Sequence, residues 1–188
     1  MSDILLQTER MYFRAFRADE GGLLFELDSD PEVMRLISKG QPTSRERIEN
    51  IILPRFLSYY QHSPPRGFWA AHLLENKEFI GWFHLRPDKF EPEFMELGYR
   101  LTRSSWGKGF ATEGTKALVE RAFREWDYEK LSARTILLNQ ASRRVMEKAG
   151  LRYECEFMWP AELMPEWTEV ERRGVKYSLT REQHEPVA

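Results

Sequence analysis

The chain has 188 residues, 41% of them hydrophobic and 31% charged, with 28 Lys and Arg against 30 Asp and Glu for a formal charge of -2. Those figures exclude a disordered or fibrous chain, suit one domain over residues 1–188, and argue against nonspecific binding to nucleic acid or an anionic membrane. The lone Cys155 excludes an intrachain disulfide and a multi-cysteine metal cluster, and no apolar stretch approaches a membrane span, so the expectation is a soluble cytoplasmic protein.

In chain order, residues 8–17 alternate in the manner of a strand, and Leu23, Leu24 and Leu27 then recur at helical spacing. Asp30 ahead of Pro31 reads as an N-cap with proline in the first helical position. Thr43-x-x-Glu46 has the form of a capping box ahead of an apolar stripe of Ile48, Ile51, Ile52, Phe56 and Tyr59, which Pro54 should kink or split. Residues 67–74, 79–86 and 94–101 follow as three strands of an antiparallel meander. Residues 111–126 keep Thr115, Leu118, Val119, Ala122 and Phe123 on one helical face. Gly114 lies on that face, where close packing on a sheet would offset its propensity cost of about 1 kcal/mol.

A strand at 130–138, a short helix at 140–149 between Asn139 and Gly150, and strands at 151–159 and 174–181 complete the order. The first of these last two places Leu151, Tyr153, Cys155, Phe157 and Trp159 on one face, and a long acidic stretch separates it from the second. Strands before, between and after helices predict an α+β fold, built on a mixed, mainly antiparallel central sheet of about seven strands with helices on both faces.

The segment from Leu101 to Thr112, LTRSSWGKGFAT, runs from a strand end through a Gly-rich loop into the 111–126 helix. Such a loop presents unpaired amides at the positive end of a helix dipole, and Gly107 and Gly109 let a bulky anion approach the backbone. A P-loop requires GxxxxGK followed by Ser or Thr, whereas Lys108 is followed by Gly109 and the upstream glycine is missing. A dinucleotide fingerprint requires a third glycine where Thr112 stands and an acid at the end of the next strand, which closes on Asn139.

The third user of this device is the coenzyme A pyrophosphate loop, and here the chain resembles the GNAT family of acetyl-CoA-dependent N-acetyltransferases. The family pattern Q/R-x-x-G-x-G/A is occupied by Trp106-Gly107-Lys108-Gly109-Phe110-Ala111, and the Trp106 variant resembles the RimJ/RimL branch (WGKGYATE). Glu96-Leu97-Gly98-Tyr99, Asn139-x-x-Ser142, Glu147-Lys148-Ala149-Gly150-Leu151, Asp30-Pro31-Glu32-Val33 and Tyr177-x-Leu179-x-Arg181 extend the resemblance over roughly residues 8–182.

The resemblance implies a GNAT-like fold and direct transfer of acetyl from acetyl-CoA to a primary amine, a protein N-terminus or a small molecule, in a ternary complex. It implies that residues Trp106 to Thr112, including Phe110 and Ala111, hold the pyrophosphate. Backbone at Tyr99 and Leu101, with Asn139 and Ser142, would meet the pantetheine and thioester, between two parallel strands that splay apart. No metal is required, and no HExxH or CxxC spacing offers one a site.

Several residues carry two readings. Lys108 is a phosphate partner or a solvated side chain, and Asn139 an N-cap, a pantetheine contact, or both. Glu96 is a general base or a carboxylate paired with Arg100 or Arg86. Ser142 is a proton donor to the departing thiolate or a helix-face serine. A tyrosine general acid at position 146 is excluded, since that residue is Met146. His72 and His84 are strand histidines, bases or, as is commoner for a lone strand histidine, satisfied core residues; Cys155 is expected in the core, and Tyr177 is expected to line the acceptor pocket. The rival classes are a catalytically silent acyl-CoA-binding or sensor domain and a nucleotide-binding module. The Phe, Trp and Met surplus at 155–167 is a candidate homodimer surface.

Overall fold

The computed structural model describes residues 4–184. One eight-stranded sheet runs through it, formed by β1 (Ile4–Gln7), β2 (Met11–Ala15), β3 (Gly67–Leu73), β4 (Phe79–Pro87), β5 (Met95–Leu101), β6 (Lys130–Ile136), β7 (Arg152–Met158) and β8 (Arg173–Thr180). Their spatial order is β1-β2-β3-β4-β5-β6-β8-β7, and every pairing is antiparallel except β5 with β6. The helices are α1 (Gly21–Ser29), α2 (Pro31–Ser38), α3 (Arg45–Arg47), α4 (Leu53–Ser58), α5 (Phe110–Arg124), α6 (Gln140–Lys148) and α7 (Arg181–His184). The eighth strand, beyond the seven expected, is the short edge strand β1, whose Leu6 is its buried residue.

The alternation of β2 to β5 sorts their side chains into two cores. On one face Phe13, Phe83, Leu97 and Leu131 meet Leu118, Val119 and Phe123 of α5 and Met146 of α6. On the other, Phe16, Phe68, Ala70 and Trp82 meet Leu24, Leu27, Val33, Ile48, Leu53 and Phe56 from the 21–58 helices. Gly114 faces the sheet as expected, and a Cβ there would come within 2.6 Å of Phe83 Cε1 and 2.8 Å of Phe13 Cζ.

Local signals held at the starts of α2 and α6. Asp30 accepts from the Glu32 amide at 2.8 Å with Pro31 opening α2, and Asn139 accepts from the Ser142 amide at 3.2 Å at the start of α6. The expected N-cap is displaced by one residue, and no reciprocal box forms because Arg47 stands three residues after Ser44. Ser44, not Thr43, caps α3 by accepting from the Arg47 amide at 3.2 Å, because Thr43 Oγ1 donates instead to the buried Asp28 at 2.7 Å. Pro54 acts as expected: the regular helix gives way to a π-helical stretch at Ile48–Ile52 and restarts with Pro54 in the first turn of α4.

Cys155 is exposed rather than in the core. It lies on β7, the outermost strand, and the register slips between Tyr153 and Cys155. That bulge breaks the period of two on which the one-face reading of residues 151–159 rested.

Candidate functional site

The parallel neighbours β5 and β6 pair only at Met95 with Leu131 and Glu96 with Ser132, and beyond Glu96 they part. The backbone of β5 is oriented toward that opening. Thr102 N donates to the Ile80 carbonyl at 2.9 Å, and the β4–β5 register continues without a slip from Leu101 to Met95. Alternate residues of an antiparallel strand bond to the same neighbour, so Arg100, Gly98 and Glu96 bond toward β4 while Leu101 and Tyr99, beyond the last pair with β6, direct their amides and carbonyls into the gap. The Leu101 carbonyl is taken by Trp106 Nε1 at 3.0 Å, which ties the loop to the strand end.

From Trp106 the chain turns through Gly107 (φ 73°) and Gly109 (φ 85°) into α5. Both lie in the left-handed region where a Cβ is strained, and a Cβ on Gly107 would meet nothing within 4 Å. Gly109 caps α5 without a side-chain bond. The first-turn amides of Phe110, Ala111 and Thr112 have no partner inside the helix and stand at its positive end. A strand gap leading to an open, glycine-lined helix terminus fits a long ligand with an anionic middle, as the donor demands.

The expected site residues divide between the two sheet faces. Glu96 is 8% exposed and pairs through Oε2 with Arg86 Nη2 at 2.8 Å. Burial pushes its carboxyl above the usual range, Arg86 opposes that, and nearby Asp88 adds to it. Arg100, the other partner considered, binds Asp28 and lies over the Trp82 ring. His84 shares the Glu96 face, and its imidazole is held well below the usual value by burial and by Arg86, so it is neutral. It packs against Phe68 and Trp82, and a Cβ on Gly98 would strike its Nε2. The glycine of Glu96-Leu97-Gly98-Tyr99 is thereby explained by packing.

On the opposite face Tyr99 packs on Phe83 and its hydroxyl faces the side chain of Ser142. Burial raises the phenol, with Ser142 partly offsetting it. The gap thus has a carboxylate on one side of the sheet and a pair of hydroxyls on the other. Tyr177 stands elsewhere. It is 1% exposed, donates to Glu147 Oε1 at 2.9 Å and receives Arg143 Nε at 3.2 Å, so it anchors α6 within the core instead of facing an acceptor. His72 is likewise a packed residue, bonded through Nδ1 to the Lys77 carbonyl at 3.0 Å and stacked on Tyr12.

The residues missed from sequence are the three that brace the loop, Thr8, Arg10 and Glu113, whereas Arg86 was one of the two partners considered for Glu96. Glu113 follows Thr112 directly in the loop motif, yet its partners come from the β1–β2 turn, which no local pattern connects to α5.

Comparison with known proteins bears on the family and the fold. Residues 10–152 match the family model of the acetyltransferase (GNAT) domain. The chain is 31% identical over 186 residues, 95% of its own length and 77% of the relative's, to an FsC-acetyl coenzyme A-N(2)-transacetylase of Aspergillus fumigatus. Among solved structures, a GNAT-family acetyltransferase from Bacillus anthracis superposes with a TM-score of 0.73 at 22% identity, covering 94% of this chain and 98% of that one. RimL, a ribosomal L7/L12 alpha-N-protein acetyltransferase solved with coenzyme A, gives 0.74 at 17% identity and covers 94% and 97%.

Proposed function

The chain belongs to the GNAT acetyltransferase family and is an acetyl-CoA-dependent acetyltransferase, and from that premise we propose that its acceptor is the primary amine of a small molecule. The observation that carries the site assignment is the parting of β5 and β6 beyond Glu96, with Glu96 on one sheet face and Tyr99–Ser142 on the other. Acetyl-CoA supplies the activated acyl group. The amides of residues 107–112 hold its pyrophosphate, Trp106 fixes the loop to β5, and the Lys108 and Thr112 side chains are within the same segment to assist. Asn139 opens α6 beside the pantetheine arm.

In this reading Glu96 takes one proton from the acceptor ammonium, directly or through water, and the freed amine attacks the thioester carbonyl. The amides of Tyr99 and Leu101 polarise that carbonyl. As the new C–N bond forms and the C–S bond breaks, the nitrogen gives its second proton to solvent, and Ser142 gives a proton to the departing thiolate and takes one back from solvent. The hydroxyl pair fills the part left open by Met146, so a silent acyl-CoA sensor is the weaker reading.

A small acceptor is supported by the N(2)-transacetylase relative, which matches 95% of the chain. The recessed position of Glu96, which is 8% exposed, suits a slender amine. A protein N-terminus, in the manner of the RimJ/RimL branch, is the second reading and rests on the Trp106–Glu113 motif and the RimL fold likeness. The placement we propose is the cytoplasm, where the exposed Cys155 thiol would remain reduced. Release of CoA thiol should be measured with matched panels of small primary amines and of short peptides bearing free N-termini. Turnover favouring the small amines is expected, and peptides turned over faster would reverse the assignment.

A further inference from the structure

The loop ahead of α5 is gripped from outside its own motif. Arg10, in the turn between β1 and β2, donates from Nη1 to the Lys108 carbonyl at 3.0 Å and from Nε to Glu113 Oε2 at 2.7 Å. Its guanidinium lies 4.4 Å from the centre of the Phe110 ring. Glu113 Oε1 accepts from the Arg10 amide at 3.0 Å and from the Thr8 hydroxyl at 2.6 Å. One side chain thus joins the loop, the first residue of α5 and its first-turn carboxylate.

Two consequences follow for an anion at this terminus. A trans peptide is planar, with its carbonyl and its amide hydrogen on opposite sides. Holding the Lys108 carbonyl against Arg10 therefore turns the Gly109 N–H to the other side of the loop and keeps it there. The second consequence is electrostatic. Glu113 is a negative charge within one turn of the helix end, where it would repel a phosphate, and Arg10 neutralises it in a two-pronged contact.

We propose that Arg10 is a positioning residue for the donor's phosphates, acting through the orientation of the Lys108–Gly109 peptide and the neutralisation of Glu113. The proposal rests on the reading that residues 107–112 hold the pyrophosphate. A residue with that role discriminates between a donor that has the pyrophosphate and one that lacks it, whereas a residue that merely braces the fold does not.

The test compares the dissociation constants of CoA and of S-acetylpantetheine, which has the arm without the pyrophosphate or nucleotide. In Arg10→Ala the preference for CoA should fall roughly tenfold, the scale of one lost charge-assisted hydrogen bond. Arg10→Lys keeps the charge but cannot serve Glu113 and the Lys108 carbonyl together, so it should lose part of the preference, and it carries the comparison if Arg10→Ala does not fold. An unchanged preference, whether both constants stay put or both rise together, would overturn the proposal. A wild-type protein that binds the two ligands equally well would instead overturn the pyrophosphate-loop reading beneath it.

Discussion

Glu96 is held between opposing influences, and their balance sets the pH at which it can act. Burial favours its protonated form while the Arg86 guanidinium at 2.8 Å favours the carboxylate, with the net shift upward. A base must be unprotonated to work, so kcat/KM should rise with pH through a midpoint above the ordinary glutamate value of about 4.3. Removing the cation in Arg86→Met should move that midpoint to higher pH. Glu96→Gln should abolish the acid limb and lower kcat by about 100- to 10,000-fold. A pH–rate profile of the three proteins decides the matter, and an acid limb that survives in Glu96→Gln excludes this carboxylate as the base. At this scale the sequence located Glu96 through its motif but left Arg86 and Arg100 as equal partners. Register decides between them, since Glu96 stands opposite Arg86 and Arg100 opposite Trp82.

Helix α5 shows an element whose own preference and whose surroundings disagree. Alanine at position 114 would gain about 1 kcal/mol in helix propensity. Its Cβ would also meet Phe83 and Phe13, two fully buried rings stacked at 4.6 Å that have little room to yield. The expected outcome for Gly114→Ala is a net loss of about 1–3 kcal/mol in urea denaturation. A gain would show that α5 stands farther from the sheet than its contacts indicate. Helix α5 and its glycine were readable because a 15-residue amphipathic face repeats its signal over four turns. The single-residue errors fell where the signal is short. Thr43 lost its capping role to a tertiary bond with Asp28, and Cys155 lost its core position to a bulge on an edge strand.

For the whole molecule, the ligand is expected to act as a clasp across the sheet. Acetyl-CoA would touch β5, the α5 loop and the start of α6, and at about 100 times its dissociation constant it should stabilise the fold by roughly 2.7 kcal/mol. For a chain of this size that is a rise of about 5–10 °C in melting temperature. Thermal scans with acetyl-CoA, ADP and NAD should show the largest rise with acetyl-CoA, and equal rises with all three would place the nucleotide, not the thioester arm, in control.

By itself the sequence determined the order of strands and helices, the glycine loop at the head of α5 and hence the family. These are carried by residues within a few positions of one another, where hydrophobic period, caps and φ preference act locally. The tertiary structure decided which groups share the site. Arg10 and Glu113 are 103 residues apart, and Tyr99 and Ser142 come from a strand and a helix on either side of the crossover. Tyr177, which the sequence directed toward the acceptor, the sheet directs into the core. Contacts of that kind depend on register and on the parting of β5 from β6, and register is settled by the packing of the whole sheet rather than by any segment of it.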